Sequence, residues 1–147
     1  MAILRMDHVS VVVEDLAAAT AFFAGLGMEV EGGAPIQGEW VDRIVGYDGL
    51  RCEVAMLRTP DGHGRVELTR FDEPAAVAGD PSRPNATGLR TVMFAVDDVE
   101  DAVARALSHG GELVGEIVRY EDSYRLCYVR GPEGVLVALA QPLQPQD

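Results

Sequence analysis

Asp7-His8-Val9-Ser10-Val11-Val12-Val13-Glu14-Asp15-Leu16 returns in altered form as Arg90-Thr91-Val92-Met93-Phe94-Ala95-Val96-Asp97-Asp98-Val99. Extending the alignment to Asp7–Glu29 against Arg90–Glu112, an offset of 83, gives seven identities in 23 positions. They are Val9/Val92, Val13/Val96, Asp15/Asp98, Ala19/Ala102, Ala21/Ala104, Gly27/Gly110 and Glu29/Glu112. Biased composition alone predicts about two, so the chain carries an internal duplication.

Each copy opens on an apolar run, Val9–Val13 or Val92–Val96, suited to a strand covered on at least one face. Two acidic residues follow, Glu14-Asp15 and Asp97-Asp98, placed to cap a helix and to favour its positive end. Helices are expected over Leu16–Ala24 and Val99–Ser108. Leu16, Ala19, Phe23 and Leu26 recur at helical spacing in the first, and Val99, Ala102, Val103, Ala106 and Leu107 in the second. Gly25/Gly27 and Gly110/Gly111 end them. Three strands then complete each copy: Met28–Glu31, Arg51–Leu57 and Arg65–Phe71, against Glu112–Arg119, Tyr124–Arg130 and Val135–Ala140. Pro60-Asp61-Gly62 and Gly131-Pro132-Glu133-Gly134 are matching turns before the last strand. The first copy has extra residues around Gly38–Gly49, read as a loop or a short added element.

The fold class expected is therefore α+β: two βαβββ modules forming an eight-stranded, cup-like sheet with helices outside. Module one covers about 1–71, a Pro- and Ala-rich linker about 72–87, and module two about 88–142, within a single domain over 1–147.

The net charge of −12 repels phosphate backbones and anionic lipid, which argues against nucleic acid and membrane partners. No apolar run has transmembrane length, and Met1-Ala2-Ile3-Leu4-Arg5 lacks a signal-peptide core, so the expected location is the cytoplasm. Cys52 and Cys127 lie far apart in strand-like runs, outside any metal-spaced pattern, and read as buried thiols.

The stretch Asp7–Leu16, with Phe22-Phe23 and Gly27-Met28-Glu29-Val30 after it, resembles the vicinal oxygen chelate superfamily. That group includes glyoxalase I, bleomycin-resistance proteins, fosfomycin-resistance enzymes and extradiol dioxygenases. The resemblance extends to Arg65-Val66-Glu67-Leu68, Phe94-Ala95-Val96-Asp97-Asp98 and Gly131-Pro132-Glu133-Gly134-Val135-Leu136-Val137. It implies a cup for a small organic ligand, often a homodimer, and in metal-dependent members four ligands from the first and last strands of the modules. A divalent ion (Zn, Ni, Fe, Mn or Co) would polarise two substrate oxygens. The first-module positions hold His8 and Glu67, chemically suitable ligands. The second-module positions hold Thr91 and Ala138, a poor donor and a non-donor, so further ligands would have to come from elsewhere, such as Glu121, Asp122 or a second chain.

Taken as residues, His8 should share a face with Ser10 and Val12. It reads as a ligand, a general base or a donor to substrate, against a satisfied histidine in a polar cup. Glu67, between Val66 and Leu68, should turn from the helix. It reads as a metal ligand or proton acceptor, or as half of an ion pair with Arg65, Arg51, Arg90 or His8 itself. Trp40, Thr91, Tyr124 and Tyr128 are candidate ligand-wall residues, and Tyr120–Arg125 a candidate loop at the mouth of the cup. His63 reads as an exposed turn residue and His109 as a helix end. Three functions follow: a binding protein that holds a molecule unchanged, a metal-dependent lyase, isomerase or dioxygenase, and a metal-free acid/base enzyme.

Overall fold

The computed structural model describes residues 5–80, 83, 85, 87, 89 and 91–143. The readings of Met1–Leu4 as free of a leader, and of Arg90 as a partner for Glu67, lie outside the described residues. The chain divides into two compact units, at Ala78/Gly79.

In the first unit the order is β1 (Val9–Val12), α1 (Leu16–Gly25), β2 (Glu29–Gln37), α2 (Glu39–Val45), β3 (Arg51–Arg58) and β4 (Arg65–Glu73). The sheet runs β1-β4-β3-β2, with β1 parallel to β4 and the other pairs antiparallel. The Asp15 carboxylate caps α1 by accepting the Ala18 amide at 2.9 Å. Leu16, Ala19, Phe22 and Phe23 of α1 are buried with Val66, Leu68, Ala55 and Leu57 of the sheet. Phe22 thus joins the inward stripe. Leu26, expected there, is the half-buried cap residue, its amide returning to the Phe22 carbonyl.

The insertion takes the second of its two expected forms, a short added element, and two strands depart from expectation. The Gly38–Gly49 insertion folds into α2, because Val41 finds apolar cover from Leu50 and Cys52, with Ile36, Val54 and Phe71 around them. The Asp42 carboxylate fastens the return by accepting the Gly49 and Leu50 amides at 2.9 and 2.8 Å. β2 is longer than expected and reaches Gln37. It is bent by an extra residue, Glu31, between the pairs Val30–Leu57 and Gly32–Met56. Gly33 is needed beside β3, since a Cβ there would lie 2.8 Å from the Val54 carbonyl oxygen. β4 continues to Glu73, so the first two residues of the expected linker are strand.

The second unit contains β5 (Thr91–Ala95), α3 (Val99–Ser108), β6 (Glu112–Leu113), β7 (Val118–Tyr120), β8 (Tyr124–Arg130), a 3-10 turn (Pro132–Gly134) and β9 (Leu136–Pro142). The order β5-β9-β8-β6, with β5 parallel to β9, repeats the first unit. Asp98 caps α3 by accepting two amides, of Glu100 and Asp101. Val99, Ala102, Val103 and Ala106 are buried, while Leu107 is exposed. The strand expected over Glu112–Arg119 is two pieces, which makes nine strands in all among the described residues. Leu113 faces Val129 and Val118 faces Leu126, so this chain spends two more residues than β8 over the same span. Gly115, with no side chain to pack, lies in the excess.

Candidate functional site

Register defines the site. Ser10 faces Glu67 across β1 and β4, and Met93 faces Ala138 across β5 and β9. Ser10 and Met93 differ by the duplication offset of 83, so Glu67 and Ala138 occupy equivalent places. By the same offset His8 corresponds to Thr91.

In the first unit the pleat sends Val66 and Leu68 to the α1 side, leaving Glu67 on the other face with Ser10, Met56 and Gly32 across the strands. His8, just before β1, Ser10 and Val12 are exposed, whereas Val9 and Val11 are half-buried. His8 and Glu67 come together: Nε2 of the imidazole lies 3.7 Å from Oε2 of the carboxylate, with side chains 32% and 26% exposed. Glu67 Oε1 accepts the Ser10 hydroxyl at 3.1 Å and the Thr69 hydroxyl at 3.3 Å. His8 Nδ1 is 2.8 Å from Asp7 Oδ2. The His8 hydrogen bond foremost, and then that of Arg5, hold the Asp7 carboxyl below the usual carboxylate range. Of the cationic partners considered for Glu67, Arg65 is turned to Glu31 at 2.7 Å and to Asp7 at 3.8 Å.

Ile36, Cys52, Val54 and Phe71 belong by register to the same face as Glu67. These are the residues packed with Val41, so α2 covers one end of the face whose other end carries His8 and Glu67. Trp40 is itself on α2 and 57% exposed, its ring beside Gly38. The Cys52 thiol is buried and its pKa pushed up, chiefly by burial and then by the Glu67 and Asp72 carboxylates, so it is a poor nucleophile. Burial does the same to Cys127.

The second unit carries Thr91, Met93 and Ala95 on one face of β5, with Ala138 between Met93 and Tyr128. Tyr124 and Tyr128 share that parity on β8, so three of the four candidate ligand-wall residues line one sheet face. Tyr120–Arg125 is a tight hairpin turn: Tyr120 pairs with Tyr124 and Glu121 takes a φ of 50°. Asp122 is engaged by Arg119 at 2.8 Å. His63 lies exposed in the turn before β4, and His109 caps α3, its Nδ1 3.0 Å from the Arg105 carbonyl.

For a metal the fit is partial. His8 and Glu67 are suitable donors, and the Asp7 carboxylate behind the imidazole is the usual support of a ligating histidine. Thr91 and Ala138 do not complete the set. Among the described residues no group of three or more His, Cys, Asp or Glu side chains is placed to hold an ion. Catalytic zinc sites normally keep three protein ligands.

Asp7 as the support of His8, and Thr69 as a donor to Glu67, were missed in the sequence. Thr69 carried a readable signal, standing two residues after Glu67 on one strand.

Comparison with known proteins agrees with this fold. The model of the Glyoxalase/Bleomycin resistance protein/Dioxygenase superfamily matches residues 5–139. A glyoxalase family protein from Bacillus cereus is 50% identical in sequence, with a TM-score of 0.93 over 98% of this chain and 99% of that one. YaeR of Escherichia coli strain K12, described as uncharacterized, is 29% identical over 138 residues, 92% of this chain and 94% of its own. TnmS3, an antibiotic binding protein from Streptomyces sp. CB03234, shares the fold at a TM-score of 0.60 and 21% identity, over 97% of this chain and 98% of that one.

Proposed function

Since the chain belongs to the Glyoxalase/Bleomycin resistance protein/Dioxygenase superfamily, we propose that it binds a small organic molecule, with His8 and Glu67 as its polar contacts. One observation carries this reading. At register-equivalent places the first unit offers an imidazole and a carboxylate, and the second offers Thr91 and a buried alanine, Ala138. A donor set halved in this way suits recognition of a ligand better than tight chelation of an ion. Thr91, Tyr124 and Tyr128, exposed side chains on one face of the second sheet, and Trp40 on α2 are proposed as further ligand contacts. TnmS3, an antibiotic binding protein, is a precedent for a small-molecule binder on this fold.

The test is a ligand screen on the purified protein by thermal shift and calorimetry, with mass analysis of every ligand recovered. Saturable binding with the ligand unchanged supports the proposal, and turnover counts against it. The protein is proposed to work in the cytoplasm as a homodimer, which fractionation and light scattering check. Among the described residues no helix is long and apolar enough to cross a membrane.

A second reading rests on the Asp7–His8 contact. A carboxylate on Nδ1 leaves Nε2 able to take a proton, the arrangement of a general base. Any conversion found in the screen should then be lost in His8→Ala. A divalent ion, if bound, would be held by His8 and Glu67 and would polarise a substrate oxygen. Elemental analysis followed by addition of Mn, Fe, Co, Ni or Zn tests that arm.

A further inference from the structure

Two acceptor atoms face each other at this site. The Asp7 carboxylate accepts on the Nδ1 side, so a His8 ring holding one proton holds it on Nδ1 and keeps the lone pair on Nε2. Glu67 has its Oε1 filled by the Ser10 and Thr69 hydroxyls, which fix the carboxylate and leave Oε2 open. Nε2 and Oε2 are 3.7 Å apart, too far for a hydrogen bond between them. Among the described residues, no other side chain is recorded as supplying the hydrogen that both could accept.

We propose that His8 Nε2 and Glu67 Oε2 form a two-acceptor clamp for a protonated primary amine of the bound molecule. This rests on the ligand-binding reading above and names the chemistry of that ligand. An ammonium nitrogen about 2.8 Å from both atoms would subtend about 80° between them, within the bend that two N–H donors tolerate. Charge agrees: the carboxylates of Asp7, Glu31 and Glu67 outnumber the guanidinium groups of Arg5 and Arg65, and Arg65 is committed to Glu31 and Asp7. Among the described residues no arginine pairs with Glu67. The sequence contains no lysine, so no side chain of the protein can itself supply the ammonium.

The experiment compares benzylamine with benzyl alcohol, matched in shape but neutral. Both are titrated into chelator-treated protein at about pH 8, where imidazole is neutral and an alkylamine charged. Calorimetry gives the affinities, and nitrogen-15 NMR of the imidazole reports on Nε2. The amine should bind about tenfold tighter than the alcohol and shift the His8 Nε2 resonance. Glu67→Gln, matched in shape, should bring the ratio to about one, and His8→Gln should lower it. Equal affinity for the two probes, no binding of either, or a preference that survives Glu67→Gln overturns the clamp. If the ligand screen still yields an amine-free binder, the ligand-holding reading stands while the clamp falls. If it yields nothing, both fall.

Discussion

The two units share a backbone plan and part company on one sheet face. Both pair the first strand parallel with the last, cap the helix with an aspartate, and end it near a glycine of positive φ, Gly27 or Gly110. Leu68 and Leu139, equivalent by register, are both fully buried. On the opposite face His8, Ser10, Glu67 and Thr69 of the first unit have Thr91, Met93, Ala138 and Ala140 as their equivalents in the second. Residues that bury a helix are held by packing. On the other face the two units carry different side chains, and there the chemistry of a site is written.

That contrast can be broken directly. Ala138→Glu places a carboxylate at a position 1% exposed, and it should cost at least about 4 kcal/mol in urea unfolding through overpacking and an unpaired charge. The reverse exchange, Glu67→Ala, removes a part-exposed group and should cost only about 1 kcal/mol, mainly by leaving the Thr69 hydroxyl without its acceptor. Similar losses for the two would sink the assignment of opposite environments. Leu68→Ala and Leu139→Ala probe what the units share, and each should lose about 3 kcal/mol in the same assay.

Smaller effects sharpen the comparison. Asp98 accepts two helix amides and Asp15 is seen to accept one, so Asp98→Ala should cost about 1 kcal/mol and Asp15→Ala about half of that. The turn before β4 depends on acid. The Thr59 hydroxyl first, and then the His63 amide, hold the Asp61 carboxyl below its ordinary range. Its contribution is therefore present at neutral pH and is lost as pH falls through the depressed folded value. Urea midpoints of the protein and of Asp61→Asn should differ near neutrality and converge in acid. An unchanged gap would remove this role from the turn.

Much of the fold was legible because it was written twice. The Asp15/Asp98 and Gly27/Gly110 matches mark both helices, and period-two burial marks the strands around Glu67. Less legible was what depends on distant partners. The insertion becomes α2 only because Val41 meets Leu50 and Cys52. Leu107 has the period of a buried residue but lies at the end of α3, where the stripe runs out. The break between β6 and β7 shows only when residues are counted against β8. At the site, the meeting of His8 and Glu67 followed from strand parity. The Asp7 contact depended on a ring orientation that no spacing encodes.

The bent β2 has a consequence of its own. It is the last strand of its sheet, nine residues long and almost wholly exposed, the kind of margin on which another chain could add itself and begin a fibril. Glu31 interrupts its regular pairing and puts a charge there, and Pro35 removes an amide from its length. A long open border is thereby made unfit for intermolecular growth, which helps the protein tolerate crowding without clumping.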